Sequence, residues 1–234
     1  MNKKIILTII LVIGVLTISG CGCKKSDKKA EPTKEALAFK EEYESLNGKE
    51  IKEGIKHRTV NIDEYNPFVK VTAKEIVDMI ENGETFYVYF GDKLCPWCRS
   101  TIEKAIEVAK LKDIKKIYYV EIWDDEGNEI LRDKFTLNKK DKAVKSQEGT
   151  EEYSKFLEVF GSLLKEYTLT TSDGKKVKTG ERRIYAPNFI YVLDGNAVKL
   201  TTGNSDKQIE AFDELTDEIL KDEQDMYEEF FNNK

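Results

Sequence analysis

Apolar positions along this chain fall into three kinds of run. The first, Ile5 to Ile18, is almost continuous and is broken only by Thr8, Gly14 and Thr17. Fourteen residues of helix rise only about 21 Å, short of the roughly 30 Å core of a bilayer. The second kind is short and rich in β-branched and aromatic residues. Phe86-Tyr87-Val88-Tyr89-Phe90, closed by Gly91, has the unbroken character of a strand buried on both faces. Ile117 to Ile122 reads the same way, and Thr59 to Ile62 and Phe68 to Val71 read as shorter extended segments. The third kind has helical spacing. Leu37, Tyr43 and Leu46 lean to one side of a weakly apolar helix with Gly48 as its stop. Ile76, Val77 and Ile80 follow a Thr72-Ala73-Lys74-Glu75 capping box. Ile102, Ala105, Ile106 and Ala109 form the inner face of a helix over about 96–111.

The order of these elements constrains the architecture. Strand, helix and strand over 86–122 make a right-handed βαβ unit and therefore a parallel pair. The polar stretch Asp124 to Gly149 reads as an irregular insertion. A helix is expected over Glu151–Tyr167, with Tyr153, Phe156, Leu157, Phe160, Leu163 and Leu164 inward. A hairpin follows around Ser172-Asp173-Gly174. Phe189–Leu193 and Ala197–Leu200, joined by Asp194-Gly195, form a type I′ hairpin. Ser205-Asp206-Lys207-Gln208 has the form of another capping box, opening a terminal helix that carries Ile209, Phe212, Leu215, Ile219 and Leu220. The fold class expected is α/β, with a mixed sheet covered on both faces.

Composition narrows the function. The 234 residues include 38 Lys and Arg against 44 Asp and Glu, a net charge of −6 with no basic stripe, which excludes nucleic acid as a partner. One histidine excludes sites built from several, and four cysteines are too few for a disulfide-stapled mini-fold. Their positions matter more. Lys3 and Lys4 precede the first apolar run, and Ile18-Ser19-Gly20-Cys21 ends it; together they resemble a bacterial lipoprotein signal peptide with its lipobox. That resemblance implies cleavage after residue 20, lipid on Cys21 and an extracytoplasmic protein anchored at the cell membrane, two acyl chains being enough for stable binding. The alternative is an uncleaved N-terminal anchor. Cleavage removes Lys3 and Lys4 and takes the charge from −6 to −8. Residues 21–57 then comprise the lipidated N-terminus, a polar tether and the first helix, and 58–234 the main domain. Cys23 has no assigned role.

The chemistry is expected at Cys95-Pro96-Trp97-Cys98. A thiol at a helix N-terminus faces unpaired N–H groups and the positive end of the dipole, which favour thiolate. Pro96 suits the first helical turn, and Cys98 lies one turn along, in reach of Cys95. Lys93 and Arg99 add positive charge nearby. The mechanism expected is thiol–disulfide exchange through a mixed disulfide. Three rivals remain: half a zinc knuckle, whose other ligands would have to come from His57, Cys21 and Cys23; a structural disulfide; and a Cys–His hydrolase pairing with His57. Asp124-Asp125-Glu126-Gly127 fails the spacing of a calcium loop. No cofactor and no metal are expected.

Three features carry a resemblance to the thioredoxin superfamily over about residues 68–222. They are the strand Phe86–Phe90 leading into Cys95-Pro96-Trp97-Cys98, the Ala186-Pro187 bond before Phe189–Leu193, and the hairpin, Gly203 and helix that end the domain. Around Gly91–Ile102 the chain is most similar to extracytoplasmic thioredoxin-like lipoproteins and bacteriocin-transport accessory proteins. The resemblance implies a three-layer α/β/α sandwich with an N-terminal helical extension and an insertion, about 124–183, before a cis-proline at Pro187. It implies Ala186 as a backbone contact for the partner chain, protein thiols or disulfides as substrates, and a membrane redox partner to reset the pair. The chain departs from the family in placing Tyr89 where many members bury an acid, six residues before Cys95, which leaves the proton acceptor for Cys98 unassigned. Leu94 replaces the usual tryptophan. The direction, oxidase or reductase, stays open, as does a reading in which the domain is a binding module for an exported peptide or partner.

Overall fold

Among the described residues, a threonine hydroxyl starts four helices by accepting a hydrogen bond from the backbone three residues on, and a cysteine sulfur starts a fifth. The structure is a computed structural model that describes residues 31–232. In chain order its elements are α1 (Lys34–Glu44), β1 (Glu50–Lys52), β2 (Ile55–Lys56), β3 (Phe68–Lys70), α2 (Ala73–Glu81), β4 (Phe86–Gly91), α3 (Pro96–Leu111) and β5 (Ile117–Glu121). There follow β6 (Lys134–Leu137), β7 (Ala143–Gln147), α4 (Glu151–Phe160), β8 (Lys165–Thr170), β9 (Lys176–Arg183), β10 (Asn188–Leu193), β11 (Asn196–Thr201) and α5 (Asp217–Phe230). The fold is mixed α/β. Its principal sheet has the order β11-β10-β4-β5-β3, with β3, β5 and β4 parallel and β10 antiparallel to both β4 and β11.

The unbroken run predicted for β4 is explained by its central place in that sheet: all six residues are buried. Alternation along the strand divides the core. Tyr87 and Tyr89 join Phe39 and Tyr43 of α1, Ile102, Ala105 and Ala109 of α3, and Tyr227 and Phe230 of α5 on one face. Phe86, Val88 and Phe90 join Ile76 and Ile80 of α2 and Tyr153, Phe156 and Phe160 of α4 on the other. Helices therefore cover both faces. Helix α5 also carries a fully buried carboxyl group, Glu223, with neither oxygen hydrogen-bonded. Burial pushes its pKa up to about 8 against the opposing pull of Lys104 and Arg58.

Several boundaries differ from the sequence reading. Helix α1 buries Ala36, Phe39 and Tyr43 rather than Leu37, and belongs to one compact unit with everything from Pro32 onward. Thr59–Ile62 is not a strand, although Val60 and Ile62 are buried; the β1–β2 hairpin precedes it. The predicted helix over 151–167 stops at Phe160, capped by Gly161, and 165–170 is strand β8. The stretch 124–149 is not wholly irregular, since β6 and β7 form a hairpin within it. The Ser205 capping box starts no helix. Its hydroxyl bonds instead to Asp222 at 2.8 Å, α5 begins only after Thr216, and Ile209 and Phe212 are left exposed. The Asp194-Gly195 turn is as expected, with φ of 49° and 75°, both positive as type I′ demands.

The insertion is fastened by buried charge. Glu129 takes Arg132 Nη2 at 2.6 Å and Arg183 Nη2 at 3.1 Å. Arg132 also donates to the Ile184 carbonyl at 2.9 Å, and Arg183 to that of Asp133. Removing one member of such a buried set strands the others without partners, so these ion pairs fix the insertion against the segment that leads into Pro187. The signal peptide expected over residues 1–20, Cys21 and Cys23 lie outside the described residues. Among the described residues no helix is long and apolar enough to cross a membrane.

Candidate functional site

Cys95 is the N-cap of α3 and has extended backbone, φ −72° and ψ 116°. Its sulfur therefore sits where the other four helices place a threonine oxygen, and accepts the Cys98 N–H at 3.4 Å. Pro96 occupies the first helical turn, where its missing N–H leaves no gap. Cys98 is one turn further in and fully buried; both thiols are free. The Cys98 side chain donates toward Cys95 and is the largest influence lowering the Cys95 pKa, helped by the N–H groups of Cys98 and Trp97 and opposed by burial and by Asp92. Burial pushes Cys98 well up, and the neighbouring Cys95 sulfur raises it further. The two cysteines are thus unequal: Cys95 ionises more readily and Cys98 holds its proton.

The opposite wall comes from the loop before β10. The Ala186–Pro187 bond is cis, and the Ala186 carbonyl accepts the Cys95 thiol at 3.4 Å. Asn188 Oδ1 accepts the Tyr185 N–H at 2.7 Å and braces that loop. Trp97 is half-buried, and its carbonyl takes Asn204 Nδ2 at 3.0 Å and Ser100 Oγ at 2.9 Å. Thr101 Oγ1 bonds to the Gly203 carbonyl and to Tyr227 Oη, both at 3.0 Å. A side chain at position 203 would lie 2.0 Å from that Tyr227 oxygen, and φ is +69° there, so glycine is required.

Neither family model nor curated protein matches this chain.

Of the predicted residues, Cys95, Pro96, Trp97, Cys98, Ala186 and Pro187 come together. Lys93 and Arg99 make their direct contacts elsewhere, although the Arg99 charge still acts on Cys98. Lys93 is ion-paired with Asp125 at 2.6 Å. Arg99 is 1% exposed and spends its guanidinium on the carbonyls of Tyr43, Arg58 and Lys93 and on Asn47 Oδ1. It ties α1 and the segment after β2 to the start of α3, a structural task. His57 is buried with Nδ1 unpartnered, and no described contact joins it to either cysteine. Among the described residues no group of three or more His, Cys, Asp or Glu could hold a metal ion. Asp124 uses its carboxylate to cap its own turn, accepting from the N–H groups of Glu126 and Asn128.

Two groups at the site were missed from sequence. Tyr89 hydrogen-bonds to the Cys98 sulfur and, at 2.8 Å, to Tyr43 Oη, so the residue standing in place of an acid still touches the inner cysteine. Gly91 makes room for it, because a Cβ there would fall 2.1 Å from the Tyr89 ring. Asp92 is 2% exposed and lies just beyond β4. Its N–H reaches the Cys98 sulfur and its carboxylate accepts the Leu94 N–H at 2.8 Å. Burial pushes its pKa up to about 7, with the negative charges of Glu121 and Glu42 adding to the shift. Its sequence signal was an acid directly after a fully buried strand, three residues before Cys95.

Proposed function

We propose that this chain is a thiol–disulfide oxidoreductase with a thioredoxin-like fold, acting on protein thiols or disulfides from the outer side of the membrane, where lipid on Cys21 holds it. The observation that carries the reading is the position of Cys95. A reduced thiol caps a helix directly after a buried parallel strand, has a second thiol one turn away, and faces the carbonyl before a cis-proline. The pKa directions favour one sulfur as attacking group and keep the other protonated in reserve.

The chemistry follows from that inequality. The Cys95 thiolate attacks one sulfur of a partner disulfide, forming a Cys95–partner disulfide and releasing the partner's other sulfur as thiolate. Cys98 then loses its proton and attacks the Cys95 sulfur. That step closes the Cys95–Cys98 disulfide and frees the second partner thiol, so two electrons pass to the partner. In reverse, the Cys95–Cys98 disulfide oxidises a partner dithiol. A second protein dithiol or disulfide, at the membrane, resets the pair. Asp92 is assigned as the proton acceptor for Cys98: its backbone reaches that sulfur, its carboxyl is buried and acts on the charge of Cys95, and a carboxyl titrating near 7 is matched to taking a proton at neutral pH.

Equilibration with glutathione tests the reading. The Cys95–Cys98 pair is expected to titrate with a potential between about −120 and −270 mV, the range of exchanging dithiols. A potential below about −300 mV is that of a structural disulfide and would favour the binding-module reading instead.

A further inference from the structure

Beside the Ala186–Pro187 bond the insertion and the sheet enclose a cavity of about 210 Å³, lined by Lys165, Tyr185, Asn188, Leu200 and Thr202. Ligand cavities for drug-sized molecules run from about 300 to 1,000 Å³, so this one is the size of a side chain. Its place ties it to the reacting sulfur. Tyr185 and Asn188 immediately flank the Ala186–Pro187 pair, and the Ala186 carbonyl is the group 3.4 Å from the Cys95 sulfur. A chain that brings its cysteine to Cys95 approaches the Ala186–Pro187 loop, whose flanking residues Tyr185 and Asn188 line the cavity. The floor is apolar at Leu200, while Thr202 and Asn188 offer polar atoms.

The mouth carries a charge. Lys165 opens β8, is exposed, and has no ion pair among the described residues. Arg182, beside it on β9, donates to the Leu164 carbonyl. Arg183, its ladder partner, is paired with Glu129, and Glu166, the next residue, with Lys178 at 2.7 Å. Lys165 is thus an unanswered positive charge at the entrance of a side-chain-sized cavity, on a protein whose overall charge is −6. The strand that presents it is locked in place by the Glu129, Arg132 and Arg183 network, so the cavity is built into the fold.

We propose that this cavity selects an acidic side chain, Asp or Glu, close to the reacting cysteine of the substrate, with Lys165 as the specificity residue. The inference rests on the exchange reading above and names the substrate class for the same site. The probes are short peptides with one cysteine, activated as mixed disulfides with thionitrobenzoate, carrying Glu, Gln or Lys at each of the two positions on either side of that cysteine. Attack by the Cys95 thiolate on the peptide sulfur forms the Cys95–peptide disulfide and expels the coloured thionitrobenzoate anion; attack on the other sulfur forms the Cys95–thionitrobenzoate disulfide and expels the peptide thiolate, and Cys98 then closes on Cys95 and frees the anion. At low ionic strength the wild-type protein is expected to react roughly three- to tenfold faster with the best Glu peptide than with its Lys counterpart, the scale of a partly exposed charge pair. Lys165→Glu is expected to invert that ratio and to leave the Gln peptide unchanged. Equal Glu-to-Lys ratios in wild type and Lys165→Glu, with all peptides reacting, would overturn the acidic selectivity while leaving the exchange reading intact. Failure of every peptide to react would remove both.

Discussion

Replacing Cys95 by serine is expected to lower the rate of disulfide exchange by about 10³-fold or more while leaving the fold intact. The loss is large because the remaining thiol is the wrong one. Both thiols are buried, but burial pushes the Cys98 pKa well above the ordinary thiol value while Cys95 is lowered, so little Cys98 thiolate forms. The fold survives because the cap does. Serine is among the preferred N-cap residues, and its oxygen can accept the Cys98 N–H that the Cys95 sulfur now takes at 3.4 Å. Stopped-flow exchange against an aromatic disulfide, with thermal melting alongside, reads both. A variant that melts like wild type and exchanges within a factor of ten of it would remove Cys95 from the attacking role.

Asp92→Asn is expected to slow the second half of the reaction by about 10²-fold at neutral pH, the low end of the range for a positioned general base. The wild-type rate of closure should rise with pH through an inflection near 7, where the Asp92 carboxyl, raised by burial, gives up its proton and becomes an acceptor for the Cys98 thiol. The asparagine cannot accept that proton, so the inflection should vanish. Two companion effects follow from the same burial. Loss of the Asp92 charge removes an influence that raises the Cys95 pKa, so Cys95 should ionise at somewhat lower pH in the variant. Stability should respond as well. A carboxyl whose folded pKa is raised binds its proton more tightly folded than unfolded, so wild-type stability falls as pH rises from about 4 to about 7. That part of the pH dependence should be missing in Asp92→Asn. An inflection near 7 that persists in the variant would assign the proton transfer to another group.

The parts of the fold that were legible in sequence are those in which local pattern and tertiary demand agree. Strand β4 could be read because all of its residues are buried, and α3 because Pro96 opens it while Ile102, Ala105, Ile106 and Ala109 repeat along one face. Misreadings arose where a local pattern had a competitor. Leu163 and Leu164 continue the helical period past Phe160, yet Gly161 ends α4 and Leu164 is buried in the turn into β8. Ser205 begins a valid capping sequence, but Asp222 of α5 claims its hydroxyl from a distance no window on the sequence can see. Leu37 outranks Ala36 by hydrophobicity, whereas Phe39 and Tyr43 decide which face of α1 turns in, by packing against Phe68 and Tyr119. Within the insertion, hairpin β6–β7 buries only Phe135 of its first strand, too sparse an alternation to stand out from charged neighbours.

The site divides in the same way. The cysteine pair and Pro187 announce themselves by spacing and residue type. The roles of the charged residues depend on competition among partners. Asp125 takes Lys93, and acceptors on α1, the turn after it, the segment after β2 and the loop before α3 take Arg99, so neither cation makes a direct contact with Cys95. Asp92, by contrast, became part of the site through the sharp passage from β4 into α3, which returns its backbone to the Cys98 sulfur. Lys165 is the remotest case: 70 positions of chain separate it from Cys95, and only the β8–β9 pairing brings it alongside Tyr185.

The central claim, that Cys95 attacks and Cys98 resolves, is tested most directly by mapping the adduct of Cys98→Ser. Without the resolving thiol, the variant should accumulate a stable one-to-one mixed disulfide with an oxidised protein partner, whose disulfide the Cys95 thiolate opens while the partner's other sulfur leaves as thiolate, and peptide mass mapping should place the bond on Cys95 alone. Wild type under the same conditions should show the adduct only transiently. A variant that forms no adduct, or one whose adduct maps to a cysteine other than Cys95, would contradict the account.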